Sequence, residues 1–361
     1  MKYQADYRRM VDVAFNKETD YIPIYDHIVD DKIMDEIMGT HVAGLNFGTK
    51  EQCDQYFETY CAFYKKMGYD TVSYAGKIIE ILPGGGALEN PSQEGVIQSQ
   101  EDFDAYPWDT VEDLYFSKYD QIFKSLRAHM PEGMKAIGGV GNGVFELVQD
   151  LVGFEELCYM SIDEPELYAN MFQKCGDIWI NLWTRFLREY GDIYCIPRTA
   201  DDWGFNSSTL ISAEDIREHL IPQYIRLSEL VHATGKPFLF HNCGKIFSVM
   251  ENLIDEVQID AKHSNEDSIA PFHEWIERYG ETTAFFGGID MDVLCRTSIE
   301  DMEVYIRELV AKCRKNGTYS GFAFGAGNSI PDYVPVEQFL AMNRIICNLR
   351  EEIYMEGKKI A

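Results

Sequence analysis

The amino-acid sequence predicts an α/β fold, a single (β/α)₈ barrel (TIM barrel) with an insertion after its second strand. Three observations lead to this prediction: eight short apolar runs, stretches of helical periodicity between most of them, and no linker or composition break along the 361 residues. Hydrophobic residues make up 46% of the chain, which is ample for a large core. We therefore expect one domain over residues 1–361.

The predicted strands are short runs rich in β-branched and aromatic residues. Several contain few polar residues, as parallel strands buried on both faces do. An open doubly wound sheet is the main alternative, but no G-x-G-x-x-G motif opens a first helix here. The eight runs are Ile22–Asp26, Thr71–Ala75, Lys135–Gly139, Ile193–Ala200, Pro237–His241, Val257–His263, Thr283–Ile289 and Ser320–Phe324.

The helices predicted between these strands have apolar residues at every third or fourth position. Clear examples are Glu51–Met67, Ala213–Thr234 and Ile299–Asn316, and Glu155–Arg188 is long enough for two helices. The segment Lys77–Met130 is too long for one loop and one helix. We predict that it forms an excursion, such as a hairpin, above the barrel mouth, where long loops build lids or pocket walls.

The charge of the chain excludes some classes of partner. Sixty acidic residues against 32 basic residues give a formal net charge of −28, which would repel nucleic acids and anionic membrane surfaces. The nine cysteines follow no paired framework, so we expect reduced thiols and a cytoplasmic location. The N-terminal segment has no apolar signal region, and no apolar run is long enough to span a bilayer.

The sharpest local signal is the motif His241-Asn242-Cys243, which ends the fifth predicted strand. Alternate residues of a strand point to the same side, so His241 and Cys243 can face the barrel mouth together. An imidazole beside a thiolate is a half-site for zinc, and a buried pair without metal is the alternative. A catalytic zinc needs about three protein ligands, and His263 and Asp290, each at a later strand end, are candidates for the third.

Other polar residues at predicted strand ends complete the mouth. Asp201 and Asp202 follow the fourth strand, and because neighbouring strand residues point in opposite directions, we expect one of them to face the pocket. A carboxylate there, or at Asp290, can accept a proton, hold a substrate NH or bind metal; capping a helix or loop is the alternative. The candidate substrate-binding residues are Asp26, His27, Asn142, His263, Gly325 and Asn328.

These motifs resemble those of the uroporphyrinogen decarboxylase superfamily. The resemblance covers nearly the whole chain and is strongest from Asp201 onward. It implies a (β/α)₈ barrel and one of two chemistries: cofactor-free decarboxylation of a tetrapyrrole's acetate arms, or zinc-dependent methyl transfer between a corrinoid protein and a thiol. The segments that carry the resemblance are Thr199–Gly204 (TADDWG), Ser212–Glu214 (SAE), His241–Gly244 (HNCG), Gly325–Asn328 (GAGN) and Pro335–Glu337 (PVE).

Two departures from the superfamily's motifs bear on the choice between these chemistries. The decarboxylases carry an N-terminal arginine-rich motif that grips carboxylates, whereas the corresponding segment here is Tyr21–His27 (YIPIYDH). Without those arginines an octa-acid substrate would meet an acidic protein, which disfavours decarboxylation. The methyltransferases bind zinc through a His-x-Cys pair and a distant cysteine. His241 and Cys243 match the pair, but Ala326 stands in place of the cysteine and cannot bind metal.

The leading hypothesis from the sequence is a methyltransferase that acts with a corrinoid protein and a small-molecule methyl acceptor. His241 and Cys243 would hold zinc, with His263 as first choice and Asp290 as second choice for the third ligand, and zinc would activate a thiolate by lowering its pKa. One alternative is a decarboxylase of a tetrapyrrole or smaller acid, in which Asp201 or Asp202 stabilises a protonated pyrrole. Another is a non-catalytic ligand-binding barrel.

Overall fold

The computed structural model describes residues 3–314 and 319–360. Within these residues seven parallel strands form one sheet, in which each strand lies beside the next strand of the chain. This sequential order is that of a TIM-barrel-like α/β fold and differs from the order of a doubly wound sheet. The strands are β1 (Thr71–Lys77), β2 (Lys135–Gly141), β3 (Tyr194–Ala200), β4 (Leu239–His241), β5 (Ala261–His263), β6 (Ala284–Ile289) and β7 (Phe322–Ala326).

Helices connect successive strands. Thr49 and Gln52 form a capping box at the start of α3, and the helix ends at Gly68 in the left-handed conformation that glycine tolerates. The α-helices are α1 (Arg8–Ala14), α2 (Asp31–Met38), α3 (Lys50–Met67), α4 (Gln100–Ala105), α5 (Val111–His129), α6 (Val144–Val152), α7 (Phe154–Asp163), α8 (Pro165–Tyr190), α9 (Ala213–Asp215), α10 (Ile221–His232), α11 (Met250–Asn252), α12 (Phe272–Tyr279), α13 (Met291–Arg296), α14 (Ile299–Cys313) and α15 (Val336–Ile360).

The helical predictions agree with these elements in position. Glu155–Arg188 contains two helices, α7 and α8, as its length suggested. The predicted helix Ala213–Thr234 is divided into α9, a π-helical turn at Ile216–Leu220, and α10, which has a proline in its first turn. Residues 315 and 316, the end of the predicted helix Ile299–Asn316, lie outside the described residues.

The first predicted strand, Ile22–Asp26, forms a single parallel bridge instead of a full strand. Ile24 bridges Phe324 of β7, with the Tyr25 N–H donating to the Phe324 carbonyl at 2.9 Å. Pro23 has no N–H to donate, which limits the ladder. A Cβ at Gly325 would lie 1.8 Å from the Tyr25 carbonyl oxygen, so glycine is required for this close approach.

The segment between β1 and α5 lies against α6. It contains 3₁₀ turns at Ile79–Ile81 and Trp108–Thr110 and the short helix α4. The predicted hairpin was wrong, because no described residue of this segment is in a strand. Backbone N–H groups of Gly86 and Leu88 instead donate to the Asp150 carboxylate of α6, at 3.0 and 3.2 Å. The segment's turns thus use side-chain acceptors where a hairpin would use a partner strand.

Helix α1 closes one end of the space inside the sheet. Met10, Val13 and Ala14 of this helix pack with Leu239, Phe286 and other apolar residues that the strands direct inward. Burying an apolar side chain such as Met10 contributes about 1.5–3 kcal/mol. The opposite end, at the carboxyl ends of the strands, is where the polar side chains gather. Among the described helices, none has the combination of length and apolar character that a membrane crossing requires.

Candidate active site

The register of three neighbouring strands brings the central site residues together. Ala200 of β3 pairs with His241 of β4, which pairs with His263 of β5. All three lie at the carboxyl ends of their strands. A cavity of about 510 Å³ opens there, and His241, Cys243 and Asp202 contribute to its wall. Of the two adjacent aspartates, Asp202 is therefore the one that faces the cavity.

A chain of hydrogen bonds fixes the orientation of His241. His263 Nε2 lies 3.2 Å from the Ala326 carbonyl oxygen. That oxygen can only accept, so Nε2 of His263 carries the proton and its Nδ1 is an acceptor. The Nδ1 atoms of His241 and His263 are 2.6 Å apart, which assigns the proton between them to His241. Nε2 of His241 is thus an acceptor, 3.5 Å from Cys243 Sγ, and the Cys243 S–H can donate to it.

Burial keeps these imidazoles neutral. Loss of water contact is the largest cause that lowers the pKa of His241 well below its ordinary value and the pKa of His263 to about 3. A neutral imidazole is the form that binds metal ions. Glycine at position 287 makes room for the His263 ring, because a Cβ there would lie 2.8 Å from its Cδ2 atom.

Cys243 lies between a carboxylate and two neutral donors. Its backbone N–H donates to Asp202 Oδ1 at 2.9 Å. Asn328 Nδ2 and Ser264 Oγ lie 3.5 and 3.6 Å from Sγ and can donate to it. Burial, followed by the charge of Asp202, raises the pKa of the Cys243 thiol above its ordinary value. A bound cation would reverse that balance and favour the thiolate.

Donor atoms of Asp202, His241 and Cys243 all lie within 4.8 Å of one another. In a tetrahedral zinc site the sulfur and nitrogen ligands are about 3.5 Å apart, since the Zn–S and Zn–N bonds are about 2.3 and 2.0 Å long. The observed distance of 3.5 Å between Cys243 Sγ and His241 Nε2 has this value. The three side chains therefore fit zinc, with the carboxylate of Asp202 as a third donor where Ala326 offers none.

A second group, His27, His241 and His263, also has ring nitrogens within 4.8 Å of one another, but it does not fit a metal. The His27 ring stacks on His241 with centroids 3.7 Å apart, so their in-plane lone pairs do not converge. Tyr25 accepts from Arg198 and so directs its own proton to Nδ1 of His27, at 3.3 Å. The sequence-based choice of His263 as a ligand is thus not favoured: His263 faces Nδ1 of His241, on the far side from Cys243.

Asp201 and Asp290 do not line the cavity, contrary to the prediction for Asp290. The Asp201 carboxylate accepts from the backbone of Phe145 and Glu146, from Trp203 Nε1 and from Tyr224 Oη, at 2.7 to 3.0 Å. Burial raises the pKa of Asp201 to about 6. Asp290 caps α13. Both carboxylates cap helices, which a strand-end position permits as readily as catalysis.

The predicted substrate-binding residues divide into two groups. His27, Asn142 and Asn328 line the cavity. Asp26, His263 and Gly325 do not line it: Asp26 accepts from Tyr69 Oη and, at 2.8 Å, from the Ala326 N–H, and His263 faces Nδ1 of His241. The space that Gly325 provides is filled by backbone, so the prediction that a ligand approaches Gly325 was wrong.

Six charged cavity residues were missed by the sequence analysis, and two of them, Glu146 and Arg198, bear most on the chemistry of the site. Glu146 lies in the first turn of α6, where Asn142 Nδ2 donates to its carboxyl group at 2.7 Å. Burial, followed by the charges of Asp201 and Asp202, raises the pKa of Glu146 well above its ordinary value. Arg198 lies within β3, and a charged residue inside an otherwise apolar strand was the signal available in the sequence.

The charged groups of the cavity wall are mostly acidic. Arg198 and Lys77 are its basic side chains among the described residues. Such a wall repels a substrate with many negative charges, because the low dielectric of a cavity strengthens repulsion between like charges. The acidic side chains are Asp31, Glu80, Glu89, Glu146 and Asp202.

A ligand-sized cavity at the carboxyl ends of sequential parallel strands is the site of a barrel enzyme. The chain belongs to the uroporphyrinogen decarboxylase (URO-D) family, whose model matches residues 9–348. No curated protein sequence matches it.

Among solved structures, a methyltransferase from Methanosarcina mazei is similar, with a TM-score of 0.70 and 12% identity over 96% of this chain and 99% of that chain. At this identity the likeness concerns the fold. Xylanase B from Clostridium stercorarium F9 has a TM-score of 0.46 and 10% identity over 90% of this chain and 96% of its own. Xylanase 10B from Thermotoga maritima also has a TM-score of 0.46, with 12% identity over 96% of this chain and 100% of its own.

Proposed function

We propose that this protein is a zinc-dependent methyltransferase that acts with a corrinoid protein and a small molecule held in the cavity. The observation that carries the proposal is the convergence of Asp202, His241 and Cys243 at the cavity wall, with a spacing that suits one tetrahedral metal. Zinc bound by these residues would supply Lewis acidity and so lower the pKa of the heteroatom that receives or releases the methyl group.

The surrounding residues orient the proposed ligands and hold a proton. The hydrogen-bond chain from Ala326 through His263 keeps the lone pair of His241 Nε2 directed into the site. Asp202 holds the backbone of Cys243 in place. Glu146, whose pKa is raised well above its ordinary value by burial, lines the cavity and would donate a proton to a leaving heteroatom.

Exposed apolar residues near the cavity mouth favour binding of a protein partner. Ile28 and Phe47 line the cavity entrance, and Phe205 and Tyr333 lie in loops that follow β3 and β7. These apolar side chains are 44 to 71% exposed. Exposed apolar residues around a functional site are typical of protein-binding surfaces, and the corrinoid carrier would have to reach this end of the barrel to exchange a methyl group.

Decarboxylation of an octa-acid tetrapyrrole receives less support. It would place eight carboxylates against a wall whose charges are mainly negative. A non-catalytic barrel has no need of converging metal donors, so the three donors in the cavity favour an enzyme.

Elemental mass spectrometry of the purified protein measures its metal content and tests the metal part of the proposal. Wild type should carry about one zinc per chain, and Asp202→Ala and Cys243→Ala should lose it. Cys295→Ala is the matched control, since Cys295 is a partly buried cysteine outside the cavity. Zinc retained by Cys243→Ala, or a wild type that does not take up zinc, would contradict this part.

Demethylation of methylcobalamin with a series of thiols tests the reaction. The wild type should transfer methyl groups, and Cys243→Ala should not. Release of carbon dioxide from uroporphyrinogen, without methyl transfer, would favour the decarboxylase instead.

A further inference from the structure

We propose that Arg198 binds the carboxylate of the small molecule that occupies the cavity, so that the ligand is a small organic monoanion with a flat, apolar body. This deepens the proposed function by naming the ligand class of the same site. The carboxylate would sit deep in the cavity and the reacting end would sit at Asp202, His241 and Cys243.

Arg198 is a buried cation for which no described residue is a counter-ion. It is 3% exposed, yet it lines the cavity. Its Nη1 donates to three neutral acceptors: Tyr25 Oη at 3.1 Å, the His27 carbonyl at 3.0 Å and Ser73 Oγ at 2.8 Å. No carboxylate oxygen in the described ranges lies within 4.0 Å of its guanidinium nitrogens. By contrast, Arg9, also largely covered, forms ion pairs with Asp20 and Asp70.

One edge of the Arg198 guanidinium is left for a ligand. Nε is buried and has no hydrogen-bond partner among the residues that the structure describes. Nη2 shares that edge, and the hydrogen bonds that Arg198 forms with described residues all come from Nη1. A carboxylate accepts two parallel N–H bonds from such an edge and at the same time neutralises the charge. A buried charge left unpaired is costly, so an anion bound here should be held well.

The remaining wall restricts the ligand to one negative charge and a flat apolar body. Four acidic side chains other than Glu146 lie around the rest of the cavity, so a second anionic group would be repelled. Aromatic rings of Phe47, Tyr56, Tyr60, Tyr74 and Tyr119 form much of the apolar wall, and aromatic faces pack well against planar groups.

The strand geometry sets the direction of the ligand. Arg198 and Ala200 are two residues apart in β3 and so lie on the same face of the strand, and Asp202 follows two residues after the strand ends. At roughly 3.3 Å per residue, the α-carbons of Arg198 and Ala200 are about 7 Å apart along the strand direction, with Arg198 deeper. A carboxylate held at Arg198 therefore directs the other end of the molecule toward Asp202 and the mouth.

Isothermal titration calorimetry of the full-length protein tests this inference, with benzoate and cyclohexanecarboxylate as probes and benzamide and inorganic phosphate as comparators. Wild type should bind at least one of the carboxylates, at least tenfold more tightly than it binds benzamide or phosphate. Arg198→Met should lower the affinity for that carboxylate at least tenfold. Arg185→Met is the matched control, since Arg185 is a partly buried arginine outside the cavity, and it should bind like wild type.

Three results would overturn the inference: no binding of either carboxylate to wild type, equal affinity for benzamide or phosphate, or unchanged affinity in Arg198→Met. If Arg198→Met does not fold, Arg198→Lys and the shift in wild-type melting temperature with benzoate against benzamide give the same decision. Zinc content is measured on the same samples. Zinc without carboxylate binding would refute this inference alone, and carboxylate binding without zinc would refute the metal proposal alone.

Discussion

Replacing His263 with Ala should weaken zinc binding without abolishing it. The substitution removes the acceptor of the 2.6 Å hydrogen bond from His241 Nδ1 and leaves the ligand imidazole free to rotate. An unsatisfied buried N–H costs about 1–3 kcal/mol. Because each 1.4 kcal/mol corresponds to about tenfold in affinity, zinc should bind roughly 10–100-fold more weakly, the range usual for partners of metal-ligating histidines.

Competition with a chromophoric zinc chelator measures these affinities. Cys243→Ala, which removes a ligand itself, should lose more affinity than His263→Ala. His232→Ala is the control, because His232 is hydrogen-bonded to Asp260 at 2.7 Å outside the cavity. A loss in His263→Ala as large as in Cys243→Ala would mean that His263 is a ligand. An unchanged affinity would mean that the hydrogen-bond chain does not orient His241.

Three further substitutions test the roles of the buried carboxyl groups. Asp201→Asn should lower the free energy of unfolding by roughly 2–4 kcal/mol in urea titrations. One of the four donors to this side chain would lose its acceptor, and the other three would donate to a neutral oxygen instead of a charged one. A change below about 0.5 kcal/mol would contradict the capping role. Asp26→Asn should remove a pH dependence: burial raises the folded-state pKa of Asp26 from 3.8 to about 6. The free energy of unfolding of wild type should therefore fall by roughly 3 kcal/mol relative to the variant as the pH rises from 3.8 to about 6. Above that range the difference between the two proteins should stay constant. Parallel unfolding curves of the two proteins across that window would contradict it. Glu146→Gln should preserve stability and zinc content but slow methyl transfer on the order of 10²–10⁴-fold, because the amide cannot donate a proton as an acid; an unchanged rate would exclude Glu146 as the proton donor.

The strands could be predicted from sequence because buried parallel strands need continuous apolar runs, and such runs as Lys135–Gly139 and Thr283–Ile289 leave few alternatives. The same pattern could not show that Ile22–Asp26 forms only one bridge. That outcome depends on the missing N–H of Pro23 and on contacts with a strand three hundred residues away.

The part of the site that could be predicted is the part that follows from strand ends and from the alternation of side chains along a strand. Those two features place His241, Cys243 and Asp202 at one mouth. The hydrogen bond between the Nδ1 atoms of His241 and His263 depends on strand register and ring orientation, which no local sequence pattern encodes. Asp290 illustrates the converse: a residue that ends a strand and precedes a helix is equally suited to cap that helix.

Arg198 and Glu146 show which signals were present but unused. A charged residue in the apolar run Ile193–Ala200 is expensive to bury, and that expense marks a functional position. For Glu146 the sequence offers only a place in the first turn of a helix. Its raised pKa arises first from burial and then from the charges of Asp201 and Asp202, which are 55 and 56 residues away in the chain.

The most direct test of the central claim is the visible and near-ultraviolet absorption of the cobalt(II)-substituted protein. If Asp202, His241 and Cys243 hold the metal, wild type should show a thiolate-to-cobalt charge-transfer band together with the intense visible bands of tetrahedral cobalt(II). Cys243→Ser should lose the charge-transfer band, and Cys295→Ser should keep it. A wild type that binds no cobalt(II), or a charge-transfer band that survives in Cys243→Ser, would contradict the assignment of this metal site.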